Sequence, residues 1–297
     1  MPERARLGDL LRRNAERVAL WLLVALLVVA APLGYYLATP LGPTEGSVDA
    51  VRADDRVEVT HRDGVYALEP ADGEATTALV FYPGGHVTAD AYLESLAPLA
   101  ARANVAVYVP EMPLQFAVLD PAAADQVIDA HPDVDRWLVG GHSLGGAMAC
   151  RYASGHPERV DGLVLLAAYC EADRSPTVPT LSVTGSADIV LDRDTYRSRL
   201  AVLPPDATVV ELDGVNHSQF GAYTGQRGDA PSSIDYATAH DRLADVVVPW
   251  VAALADGNTT ADTTASAFAH ADVVPTSHAP VRQRAATPPR TGRAAPR

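Results

Sequence analysis

The sequence predicts an α/β protein, a mostly parallel sheet with helices on both faces, preceded by one N-terminal transmembrane helix. Three observations carry this. Short apolar runs alternate with helix-length segments from residue 57 to residue 254. The pentapeptide Gly141-His142-Ser143-Leu144-Gly145 stands between one such run and one such segment. Ahead of both lie 21 residues without a charge, 18–38.

That apolar stretch, VALWLLVALLVVAAPLGYYLA, is long enough to cross a hydrocarbon core as a helix. Trp21 lies near one end and Tyr35 and Tyr36 near the other, where interfacial aromatics belong. Arg4, Arg6, Arg12, Arg13 and Arg17 precede it, and an acidic segment follows. The imbalance predicts a single-pass protein of the cell membrane, with residues 1–17 cytoplasmic and the remainder extracytoplasmic. The competing reading is a cleaved signal peptide; against it, the run is long and no clean A-x-A site follows.

Residues 39–49 read as a linker, with Pro and Gly concentrated in 39–46. Residues 57–61 and 65–69, split by Arg62-Asp63-Gly64, predict a hairpin. Strands follow at 77–82, 105–109, 136–140, 163–166, 180–184 and 208–212. Helices are expected at 91–102, 121–131, 146–153, 194–203 and 235–254. The folded domain is therefore set at 50–255. From 256 to 297 the chain turns to Thr, Ala, Pro and Asp, then Arg and Pro, and is read as a disordered tail. The tail holds an N-x-T sequon at Asn258; Asn216 starts another.

A formal charge of −14 argues against a nucleic-acid partner, because phosphate backbones are bound by clustered basic charge. All 23 basic residues are arginine. Acid excess with arginine in place of lysine fits a high-salt environment, and also a GC-rich genome. Cys150 and Cys170 show no metal-ligand spacing, so no metal site is expected. Buried free thiols are the expectation for this pair, with a disulfide as the alternative outside the cytoplasm.

The pentapeptide is G-x-S-x-G in the context it requires: strand, sharp turn, helix. The serine sits at the apex of a strained turn, and side chains two residues to either side would collide, so glycine fills both places. Serine needs a base to take its proton, and the base needs a carboxylate to orient it. On such an elbow the chain order is serine, acid, histidine. Asp188 follows the strand 180–184, and His217 follows the strand 208–212. Glu171 and Asp173 are the alternative acids. His142 is read as packing or solvent-facing rather than as the base.

A developing oxyanion needs donors. The N–H of Leu144, after the nucleophile, is one. The loop Pro83-Gly84-Gly85-His86 offers the second, from Gly85 or His86. Loss of one such donor costs about 3 kcal/mol of barrier. Expected pocket walls are residues 111–116 and 219–231, with Met112, Leu114 and Phe116 as acyl-pocket or core side chains. Only about a dozen residues separate the strands 163–166 and 180–184, which leaves no room for a lid and predicts an open, shallow site.

The stretches FYPGGHV, PEMPLQFAVLD, WLVGGHSLGGAMACRYA, LVLLAAY, VTGSAD and VNHSQFGAY resemble the α/β-hydrolase superfamily, within it the dienelactone-hydrolase-like branch of small serine hydrolases. The resemblance covers about residues 77–224 and implies an α/β-hydrolase fold with an eight-stranded sheet and a Ser143–Asp188–His217 triad. It implies no metal and no organic cofactor. Dienelactone hydrolases usually carry a cysteine nucleophile, so Ser143 favours ordinary esters over lactones. The expectation is a membrane-anchored serine esterase acting on a small-molecule ester through an acyl-enzyme. An acyltransferase with the same triad, a catalytically inactive scaffold and a peptidase are the alternatives.

Overall fold

The computed structural model describes residues 2–257 and 271–273, with the side chains of 2–13, 16 and 271–273 left aside. The side chains of Arg4, Arg6, Arg12 and Arg13, the Asn258 sequon and the arginine-rich end of the tail lie outside the described residues.

A helix, α1 (Pro2–Ala38), leads into the fold. Its segment Arg17–Ala38 is apolar, long enough to cross a membrane, and not buried against the rest of the chain. A short helix α2 (Ser47–Arg52) follows, which the sequence analysis did not foresee. It buries Val51 in the core.

The strands are β1 (Val57–Arg62), β2 (Val65–Pro70), β3 (Thr77–Tyr82), β4 (Val105–Pro110), β5 (Arg136–His142), β6 (Gly162–Leu166), β7 (Thr180–Gly185) and β8 (Thr208–Leu212). A ninth, β9 (Ala271–Val273), is antiparallel to β8. The sheet order is β1-β2-β4-β3-β5-β6-β7-β8-β9. β3 through β8 run parallel, and the hairpin β1–β2 joins β4 antiparallel. The expected eight strands are all present. The extra strand comes from the segment read as disordered: an edge strand such as β8 offers unpaired backbone groups that a short segment can take up.

The central strands β3, β4, β6 and β7 are buried at every position, as a sheet covered on both faces requires. One face packs on α3 (Leu93–Ala103) and α7 (Tyr236–Ala255), through Leu96, Leu99, Leu243, Val247 and Trp250. The other packs on α4 (Ala123–Ala130) and α5 (Leu144–Gly155), through Val127, Ala147, Met148 and Ala153. The remaining helix, α6 (Arg193–Arg199), starts on an Asp192 cap whose side chain accepts from the N–H of Thr195.

The segment read as a linker is docked on the domain. The N–H of Leu41 donates to the carbonyl of His86 at 2.9 Å, and that of Thr44 to the carbonyl of Ala222 at 2.6 Å. Leu41 bridges Val87, and Pro43 bridges Tyr223. The loops after β3 and β8 present free backbone groups there, and the extended linker satisfies them.

Candidate active site

Parallel strands that share a direction bring their carboxyl-terminal loops to one edge, where open α/β sheets hold their sites. The loops after β3, β5, β7 and β8 carry the candidate residues to this edge. Ser143 stands between β5 and α5 with φ 52° and ψ −122°. That is a positive φ for a side-chain-bearing residue, a strain of about 1–3 kcal/mol that the surroundings must hold. Ser143 N–H donates to the Leu166 carbonyl at 3.0 Å, pinning the turn to β6. A Cβ at Gly141 would lie 2.5 Å from the backbone of Gly145, and one at Gly145 would lie 2.1 Å from the carbonyl oxygen of Tyr82. The two motif glycines are thus required by backbone crowding rather than by a positive φ.

Asp188 and His217 are almost fully buried and meet, with 2.9 Å between Asp188 Oδ2 and His217 Nδ1. The other oxygen of Asp188 accepts from the N–H groups of Val190 at 2.9 Å and Leu191 at 3.0 Å. Burial alone would push the Asp188 carboxyl up; the hydrogen bond and charge of His217 and those two N–H groups outweigh it and hold the carboxyl below its usual range. Ser143 and His217 line one cavity of about 270 Å³. Glu171, one alternative acid, lines the same cavity but is exposed, and Asp188 occupies the partner position on His217.

The cavity walls differ from those expected. They are Leu144 and Ala147 of α5, residues 167–169 and Glu171 after β6, and residues 190–192 after β7. Met112 is buried in the core, Leu114 is exposed, and residues 219–231 do not line the cavity. Gln219 instead clamps the histidine loop: it accepts from the N–H of Asn216 at 3.0 Å and donates to the Ile234 carbonyl at 2.8 Å.

The oxyanion candidates separate. The N–H of Leu144 opens α5, where no carbonyl lies a turn earlier to take it. In the loop after β3, the N–H of Gly84 donates to Tyr92 Oη at 2.9 Å and that of His86 to the Gln115 carbonyl at 2.7 Å. The N–H of Gly85 has no acceptor among the described residues, and Gly85 lies against the Leu144 side chain. Of the two candidates in this loop, the amide of His86 is thus committed to Gln115, and that of Gly85 is free among the described residues.

The cysteine pair takes the second of its two expected states, and two further features were not expected from the sequence. Cys150 and Cys170 form a disulfide, with Cα atoms 5.4 Å apart, and not free thiols. It ties α5 to the loop that walls the cavity. Spacing along the chain could not show that the return of α5 beneath β6 brings these positions within bridging distance. Asp229 accepts from the N–H of His217 at 3.2 Å and of Ser218 at 2.9 Å, fixing the backbone that carries the histidine. Tyr92 Oη lies 2.9 Å from Nδ1 of His142, which is fully buried with its ring centroid 4.5 Å from that of His217. Burial, and then repulsion from His217, push the His142 imidazole well below its ordinary range, so it stays neutral.

A parallel sheet covered on both faces, with a serine on a strained strand–helix turn and a buried carboxylate–histidine pair at the same edge, defines the class of the protein. The family model described as alpha/beta hydrolase family matches residues 78–241, and the chain belongs to that family. No curated protein matches the chain.

Proposed function

We propose that the protein is a membrane-anchored serine hydrolase that cleaves carboxylic esters through an acyl-enzyme. The observation that carries this reading is the buried Asp188–His217 pair, whose histidine shares a cavity with Ser143. Asp188 fixes the imidazole with Nδ1–H toward the carboxylate, which leaves Nε2 as the base. His217 takes the proton of Ser143 as its oxygen attacks the ester carbonyl. The oxyanion is held by the N–H groups of Leu144 and Gly85. His217 then protonates the departing alcohol, and water repeats the sequence on the acyl-enzyme. No step calls for a metal or an organic cofactor.

The anchor is α1, with the N-terminus inside and the catalytic domain outside. The Cys150–Cys170 disulfide supports the outward topology, since disulfides persist in oxidising compartments. The test of the chemistry is covalent labelling by a fluorophosphonate. The wild-type chain is expected to label and Ser143→Ala to remain unlabelled; labelling that survives the substitution overturns the assignment. Protease added to sealed cells is expected to digest the domain, and a protected domain overturns the topology.

A further inference from the structure

The edge that carries the candidate site is also the edge from which α1 leaves. Tyr36, in the last turns of α1, stacks on His86, with ring centroids 3.9 Å apart and planes 9° from parallel. His86 Nε2 lies 2.6 Å from the Tyr36 carbonyl oxygen. Leu41 is bonded to the same residue through the His86 carbonyl, and residues 37–40 alone lie between the two attachments. The end of the apolar helix is therefore fixed to the loop that holds Gly85, with no length of chain on which the domain could turn away.

The described residues have four large hydrophobic side chains exposed outside α1: Leu114, Val118, Leu119 and Ile189. All four follow carboxyl-terminal strand ends at this edge, after β4 and after β7. The first three belong to the loop that receives the His86 amide through Gln115 and lays Phe116 beside Gly85. Ile189 directly follows Asp188. Scattered exposed apolar residues mean little, but Ile189 adjoins Val190 of the cavity wall, and the other three share a loop with Phe116, which lies beside Gly85 in the loop whose His86 stacks on Tyr36 of α1. Tyr35 and Tyr36, both exposed, set the end of the helix at headgroup depth, so the apolar rim beside His86 meets the acyl boundary. The domain is acidic, so this contact rests on apolar burial and not on attraction to anionic lipid.

We infer that the mouth of the cavity faces the bilayer and that the substrates are amphiphilic esters resident in the membrane, reaching Ser143 from the lipid. This rests on the anchored-esterase reading above. A lidless site fits it, because the bilayer itself covers the mouth.

The test uses the full chain reconstituted in phosphatidylcholine vesicles. Two substrates are compared: water-soluble p-nitrophenyl butyrate, and a fluorogenic long-chain acyl ester dissolved in the same bilayer. The wild type is expected to cleave both. The double variant Val118→Asp/Leu119→Asp is expected to keep the soluble-ester rate within about twofold and to lose about tenfold or more on the bilayer ester. Equal loss on both substrates, or loss on neither, overturns the inference. Cleavage of the soluble ester alone by the wild type overturns it too, and leaves the esterase reading standing. If neither ester is cleaved and Ser143 does not label, the esterase reading fails. Placement is then read independently, from an NBD label on Leu119→Cys, which is selective because the native cysteines are bonded to each other. Quenching by doxyl-lipids supports the bilayer-facing mouth, and an unquenched label overturns it.

Discussion

Nδ1 of His142 lies 2.9 Å from the hydroxyl of Tyr92, which accepts from the Gly84 N–H on its other side. With both rings buried, the tyrosine proton has Nδ1 as its acceptor, and the imidazole is held neutral. The residue next to Ser143 thus ties the loop after β3 to the turn after β5 without adding charge beside His217.

That neutrality has a consequence for stability. The folded pKa of His142 is below its unfolded value of 6.5. Below pH 6.5 the unfolded chain takes a proton that the folded chain refuses, so stability is full above that pH and falls as pH drops. One such group contributes a slope of up to about 1.4 kcal/mol per pH unit. Urea midpoints of wild type and His142→Gln, measured from pH 7.5 to 5.5, are expected to converge toward the acidic end; parallel curves would show that His142 titrates normally.

Asp188 orients His217 at 2.9 Å, and its substitution separates orientation from binding. Asp188→Asn is expected to lower kcat by about 10³–10⁴-fold through the wrong imidazole tautomer, with KM little changed. Steady-state kinetics on a soluble ester, with slowed fluorophosphonate labelling as a second readout, checks this. A kcat within tenfold of wild type would point to another acid.

The elbow glycines make a stability prediction. A Cβ at Gly145 would sit 2.1 Å from the Tyr82 carbonyl oxygen, whereas one at Gly155 would meet nothing within 4 Å. Gly145→Ala is expected to cost several kcal/mol, about 3 or more, and to accumulate as insoluble protein. Gly155→Ala, on the same helix, is expected to be neutral or to stabilise by about 0.5 kcal/mol. Soluble yield and thermal midpoints compare the two.

The disulfide closes a loop of sequence separation 20. Its reduction is expected to cost about 3 kcal/mol. It should also raise KM, because the released loop carries Tyr169 and Glu171 on the cavity wall. Thermal scans and kinetics with and without a phosphine reductant measure both; unchanged values in both would show that the bridge is dispensable.

Much of the fold was legible in the chain because its signals are local. Strand β3 was placed at both ends by an apolar run closed by Pro83-Gly84, and α7 to within one residue at each end by its apolar stripe. The missed helix α2 has six residues, too few for a period to show. Asp188 and His217 were picked out because each follows a strand whose end had to lie at one edge. The cavity walls were misassigned: residues 219–231 follow His217 in sequence and Phe116 lies beside Gly85, but the walls of the cavity come from the loops after β6 and β7.

The sequence by itself determined the alternation of strands and helices, the strained serine turn, the order of acid and histidine, and an apolar helix ahead of the domain. These follow from periodicity, glycine spacing and turn chemistry, which act over a few residues. Only the tertiary structure decided that Gly85 and not His86 has a free amide, that Cys150 reaches Cys170, and that Tyr36 lies on His86 across 50 positions. Each of these is a pairing between distant segments. It depends on sheet order and on which backbone donors other loops have already taken, and no local pattern encodes that.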